Sequence, residues 1–187
     1  MLRKNLKKFN PDKIAKLDLN MWQAYYDHNF FKLFILLLRL NHEFFGLDYL
    51  HTLQAAYYTA SAAINFRLSK GNERPEIIIG KLTKLFGIIS DNNVEKFDYK
   101  KVAELEFGWW MTDRYPKLYQ ASREDGLAHA MATIYNTDYL KLKEYADYRA
   151  QAMVLQDEAT AMGKEANWDR IESLLKKSFN SLYKNIQ

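Results

Sequence analysis

The sequence predicts an all-α protein, a single compact bundle of about seven helices. Three observations predict this class. The chain has only 7 glycines and 3 prolines in 187 residues, apolar residues recur at helical spacing along most of it, and no segment shows sustained strand alternation. The hydrophobic fraction of 48% and the aromatic fraction of 15% exclude a disordered chain. We expect one helical domain over residues 10–187, preceded by a flexible basic arm over residues 1–9.

The first helices are marked by caps and breakers. Asn10-Pro11 supplies a cap followed by proline at the first helical position, which predicts a short opening helix. A long helix is expected from about Asn20 to Phe45, with Gly46 ending it. Almost the whole circumference of this helix is apolar, which favours a central position in the bundle.

The remaining helices follow from the same signals. Their expected bounds are Asp48 to Gly71, Pro75 to Ser90, Asp98 to Pro116, Ser122 onward, Asp138 to Gly163 and Asn167 onward. In the helix after Asp48, alanines on one side predict close approach of a neighbouring helix. The larger Leu53, Tyr57, Ile64 and Leu68 on the opposite side predict ordinary packing.

Composition and missing motifs exclude several functional classes. There are no cysteines, which excludes disulfides, thiolate metal sites and a cysteine nucleophile. The longest apolar run, Leu33 to Leu38, is too short to span a membrane, and the basic N-terminus lacks the features of a signal peptide. The net charge is +4, but no helix carries a basic stripe interleaved with exposed aromatics. We therefore expect a cytoplasmic protein without nucleic-acid or membrane partners.

No motif points to a metal or cofactor. The chain has no Glu-x-x-His pair, Gly-rich phosphate loop or nucleophile elbow. We therefore expect neither a bound metal nor a cofactor.

The most informative feature is a group of ionisable residues on apolar helix faces. They are Asp27, Glu106, Asp113, Arg149 and Asp157. A buried charge must be paired, neutralised or used in a site. Arginine stays charged in proteins, so an interior Arg149 requires an acidic partner, and Glu106 and Asp157 are the candidates.

Two interpretations of this group stay open. It is either a buried ion-pair network that fixes helix register, or the polar floor of a ligand site lined by Trp109 and Trp110. The leading hypothesis is a non-catalytic module that binds a small organic ligand or a partner helix and self-associates through an apolar helix face. The alternative is an enzyme that uses the interior carboxylates, with or without a divalent cation. The expected ligand-binding residues are Asp27, Glu106, Trp109, Trp110, Asp113, Arg149 and Asp157.

Three strings in the chain carry a resemblance to a known family. They are Ala103-x-Leu105-Glu106-x-x-Trp109-Trp110, Arg149-Ala150-x-Ala152-Met153-x-x-x-Asp157 and Trp168-x-x-Ile171-x-x-Leu174-x-x-Ser178. From about Trp22 to Tyr183 the chain resembles a family of uncharacterised bacterial helical proteins. In that family a histidine is common where Asp113 stands, which speaks against a two-carboxylate mechanism. The resemblance implies no activity.

Overall fold

The computed structural model describes residues 5–115, 117–118 and 122–187. Within this part of the chain there are eight α-helices, a short 3-10 helix at Tyr139–Leu142 and no β-strand. The helices are α1 (Pro11–Tyr26), α2 (Phe30–Phe45), α3 (Tyr49–Leu68), α4 (Pro75–Asn92), α5 (Tyr99–Arg114), α6 (Arg123–Tyr135), α7 (Lys143–Ala161) and α8 (Trp168–Asn185). The all-α prediction is confirmed, with one helix more than expected.

Most helices begin where the capping residues predict. The Asp48 carboxylate accepts a hydrogen bond from the His51 N–H at 3.0 Å, and Asp98 accepts one from the Lys101 N–H at 3.1 Å. Such caps satisfy backbone donors that the first turn of a helix leaves without a partner. The same contact is made by the side chains of Asn10, Ser122 and Asn167.

The prediction of one long helix over residues 20–45 was wrong. The first helix continues to Tyr26, and the chain then turns through His28, whose φ of 55° is left-handed. Asn29 starts α2 by accepting a hydrogen bond from the Lys32 N–H at 3.1 Å. Neither glycine nor proline marks this break, and apolar periodicity on both sides of it conceals the change of direction.

The N-terminal segment is anchored rather than free from residue 5 onward. Leu6 is fully buried, and the ring of Phe9 lies 4.9 Å from that of Phe44. Residues 1–4 of the predicted arm lie outside the described residues, as does Pro116, the predicted stop of α5.

The helices form a closed cycle of contacts. Each helix packs against the next along the chain, and α8 packs against α1. One cluster of buried side chains receives residues from every helix. Its members include Ile14, Phe44, Ala55, Ile78, Val102, Leu127, Tyr145 and Leu175. This core positions the interior polar residues of α1, α5 and α7, which are not neighbours in the cycle.

The central position predicted for the helix over residues 20–45 was also wrong for the part that forms α2. It buries one side through Leu36, Leu37 and Phe44, but Phe31 is 80% exposed and Ile35 is 41% exposed. The second apolar side of α2 has no cover within the described part of the chain. No described helix is long and apolar enough to cross a bilayer.

Candidate functional site

Arg149 of α7 is held by a carboxylate from α1. Its guanidinium donates to Asp18 in a close ion pair, and a second nitrogen lies 3.5 Å from the other carboxylate oxygen. The Asp18 side chain is only 2% exposed. The guanidinium also lies 5.5 Å from the ring centre of Trp22 and 5.6 Å from that of Phe179. One acid and two aromatic faces therefore hold this cation.

The charge on Arg149 is stabilised by this environment. Burial acts to lower the pKa of Arg149, but the charge and hydrogen bond of Asp18 outweigh it and raise the pKa above its usual value. The guanidinium therefore stays charged, and the Asp18 carboxyl group is its partner in a poorly solvated place.

Asp18 was missed at the sequence level. We expected Glu106 or Asp157 to pair with Arg149, and neither donates or accepts a hydrogen bond with it among the described residues. Asp18 lies one turn after Ile14 and one turn before Trp22, on the inner face of α1. This helical spacing becomes apparent only when the first helix is continued past Asn20.

Glu106 is bound by the two tryptophans that follow it on α5. Its carboxylate accepts hydrogen bonds from the Trp109 indole at 2.8 Å and from the Trp110 indole at 3.1 Å. Spacings of three and four residues bring these side chains to one helix face. Burial raises the pKa of Glu106, although the two indole hydrogen bonds and the nearby Arg149 act to lower it.

Asp113 and Asp157 form a separate cluster around Arg123 of α6. Asp157 accepts a hydrogen bond from Arg123 at 2.9 Å, and Asp113 makes a close ion pair with the same guanidinium. The Asp157 side chain is 51% exposed, so this cluster reaches the surface. Burial raises the pKa of Asp113 against the lowering effect of Arg123. Arg123 was not identified from the sequence.

Asp27 does not lie in the interior. Helix α1 ends one residue before it, and Asp27 caps that end in an exposed position. The five ionisable residues expected on apolar faces are therefore found in separate places: the Asp18–Arg149 pair with nearby Glu106, the Arg123 cluster, and the exposed turn.

A further ion pair ties the end of α5 to the loop between α3 and α4. Arg114 donates to Glu73 at 2.9 Å, and the Tyr115 hydroxyl donates to the same oxygen at 2.6 Å. These hydrogen bonds lower the pKa of Glu73 to about 2, and the one from Tyr115 has the largest effect. The arrangement fixes the loop to the end of α5.

The exposed apolar side chains concentrate on two helices. Among the described residues fifteen large apolar side chains are exposed, and nine of them belong to α2 and α3. We call these nine the α2–α3 apolar surface. They are Phe30, Phe31, Ile35, Tyr49, Leu50, Leu53, Tyr57, Ile64 and Leu68. Exposed apolar side chains gathered on adjacent helices make this surface a candidate interaction site.

Five of these side chains form a straight stripe along α3. Leu50, Leu53, Tyr57, Ile64 and Leu68 share one helix face over about 27 Å. The fully buried residues on the opposite face are small, among them Ala55, Ala56 and Ala62, and Phe66 packs there partly buried. Close packing through the alanines is as expected, whereas the ordinary packing expected for the large residues does not occur within the described chain.

Two surface cavities lie away from the tryptophans. One of about 250 Å³ lies at the C-terminal end of α3 beside Leu68, and one of about 280 Å³ is lined by Val154, Arg170 and Leu174. Within the described residues no three His, Asp or Glu side chains converge as a metal site.

Comparisons of the chain with family models, curated proteins and solved structures give no match. The resemblance to a bacterial helical family therefore stays a prediction.

Proposed function

We propose that this protein is a non-catalytic binding module whose α2–α3 apolar surface takes a helix of a partner protein. The observation that carries the proposal is the exposure of large apolar side chains on two neighbouring helices, with Phe31 80% and Leu68 81% exposed. Burying a leucine or phenylalanine side chain is worth about 1.5–3 kcal/mol. A partner that covers several of them gains substantial binding free energy.

The shape of the surface favours a helix as the partner element. The α3 stripe is straight, about 27 Å long, and its residues recur at helical spacing. A second amphipathic helix laid along it presents its own side chains at the same spacing, which is how helix-binding surfaces recognise their targets.

The interior polar residues support this proposal because their polar atoms are already bound to other groups of the protein. Both carboxylate oxygens of Glu106 accept indole hydrogen bonds, and Arg149 is bound by Asp18. A small ligand at Trp109 would have to displace one of these contacts. An enzyme based on the interior acids gains no support, because Asp113 and Asp157 are both bound to Arg123. We assign these groups a structural role.

A peptide-display selection tests the proposal. Helical peptides are selected on the wild-type protein and then titrated against two double variants. Leu53→Gln/Leu68→Gln alters the α3 stripe, and Leu140→Gln/Met162→Gln alters exposed apolar residues elsewhere. The selected peptides should bind the stripe variant at least about tenfold more weakly than wild type, because two leucines lose their burial. The control variant should bind as wild type does.

The proposal fails if the selected peptides bind all three proteins equally. It also fails if no amphipathic helix is enriched over the unselected library.

A further inference from the structure

The border of the α3 stripe on the α4 side carries two lysines. The Lys81 ammonium lies 5.6 Å from the ring centre of Tyr57, and that of Lys84 lies 5.5 Å from the ring centre of Tyr58. Attraction between a cation and an aromatic face holds both side chains beside the stripe.

The α2–α3 apolar surface has cations on its α2 border as well. Lys32 and Arg39 are exposed on α2 next to its apolar residues, and Arg67 near the end of α3 lies 5.7 Å from the ring centre of Tyr25. Among the described residues, none of these three cations and neither of the two lysines on α4 makes an ion pair.

The acids nearby on α2 and at the start of α3 are already bound. Glu43 is 2.6 Å from Lys13, and Asp48 is 2.8 Å from His51. The α2–α3 apolar surface therefore has cations on its α2 border and on its α4 border, and these charges are available to a partner.

This charge pattern argues against a second copy of the chain as the occupant. Two copies related by a twofold axis can lay their α3 stripes antiparallel or parallel. In the antiparallel case the α4 border faces the α4 border of the other copy, and in the parallel case it faces the α2 border. Both arrangements place cations such as Lys81 opposite cations, which disfavours the contact.

We propose that the partner is an acidic amphipathic helix, with an apolar face for the stripe and Asp or Glu on both sides of that face. The inference rests on the proposed function and names the chemical class of its partner. Lys81 is 5.6 Å from the ring of Tyr57, a central residue of the stripe. Carboxylates on a helix about 10 Å wide seated there come within reach of its ammonium.

A pair of synthetic peptides tests this inference. Both have about 20 residues, the length of α3, and the same leucine face, but one has glutamate borders and the other lysine borders. Binding is measured by fluorescence anisotropy at low and at physiological salt. The acidic peptide should bind at least about tenfold more tightly than the basic one at low salt, and added salt should reduce that difference.

Charge reversal supplies the matched control. Lys81→Glu/Lys84→Glu should remove or invert the preference for the acidic peptide. Lys141→Glu/Lys164→Glu, two exposed lysines outside α2–α4, should retain it apart from a small uniform loss.

The other outcomes separate this inference from the proposed function. Equal binding of both peptides, lost in Leu53→Gln/Leu68→Gln, overturns the acidic partner and leaves a helix-binding surface. Failure of both peptides, together with failure of the display selection, overturns both. Binding to phosphatidylserine vesicles that depends on Lys81 and Lys84, without peptide binding, overturns the inference in favour of a membrane surface. Dimerisation through the stripe that excludes the peptides overturns it in favour of a second copy.

Discussion

At the scale of single residues, the ion pair of Arg149 with Asp18 links α7 to α1, two helices that do not pack directly against each other. A buried ion pair contributes little compared with a well-packed apolar pair, but losing one member leaves the other charged and without a partner. The aromatic faces of Trp22 and Phe179 next to the guanidinium cannot replace that partner for Asp18. The strength of the pair therefore shows only when it is broken from one side.

We expect Arg149→Leu to lower the free energy of unfolding by about 3–5 kcal/mol, measured by urea denaturation. The double variant Asp18→Leu/Arg149→Leu should regain most of that loss, because no charge is then stranded. Arg39→Leu, on the exposed side of α2, should change stability by about 0.5 kcal/mol or less. An Arg149→Leu effect as small as that of Arg39→Leu would show that the pair is not buried.

Glu73 and Glu106 should change stability with pH in opposite directions. Folding lowers the pKa of Glu73 from 4.5 to about 2, so its contribution is present above pH 4.5 and is lost as the pH falls toward 2. Folding raises the pKa of Glu106 above 4.5, so its contribution is present below pH 4.5 and falls as the pH rises through the raised value.

Urea denaturation of Glu73→Gln and Glu106→Gln across this pH range checks both signs. Relative to wild type, Glu73→Gln should become less stable as the pH rises above about 2. Glu106→Gln should become more stable relative to wild type as the pH rises above 4.5. Two difference curves of the same sign would contradict the assigned environments.

At the scale of helices, α5 and α6 approach each other closely at Gly126. A Cβ added there would lie 2.5 Å from the Cβ of Trp109 and 3.4 Å from its Cα. Helix α5, which carries Glu106 and Trp109, would then have to move. At Gly80 of α4 an added Cβ would meet nothing within 4 Å.

These two glycines give a matched prediction. Gly80→Ala should stabilise the protein by about 0.5–1 kcal/mol, because alanine is the better helix former. Gly126→Ala should instead destabilise it by about 1–3 kcal/mol through overpacking against Trp109. Thermal denaturation measures both, and stabilisation by Gly126→Ala would mean that α5 and α6 are less closely packed.

Local signals in the sequence predicted where helices begin better than they predicted which residues surround each helix. Asp48 and Asp98 start helices because their carboxylates bind the first-turn N–H groups, a purely local interaction. The turn at His28 has no such signal, since a left-handed non-glycine residue follows an apolar helix without a breaker. The fold class was predicted, whereas the division between α1 and α2 was not.

At the scale of the whole molecule, the closed cycle of helices decides which apolar faces are covered. Periodicity shows that a helix has an apolar face, but not which neighbour lies against it. The acid that meets Arg149 therefore could not be chosen among Asp18, Glu106 and Asp157 from the sequence. For the same reason the outward position of Leu53 and Phe31 was not predicted. Only the arrangement of the eight helices exposes the α2–α3 apolar surface.

The most direct test of the proposed binding surface is an NMR titration of the isotope-labelled protein with the acidic amphipathic peptide. We predict that amide chemical shifts change along α2 and α3 and at the Lys81 border, while the indole signals of Trp109 and Trp110 stay in place. Shifts concentrated on those two indoles and on Glu106, with α3 unaffected, would contradict the account and identify the interior cluster as the binding site.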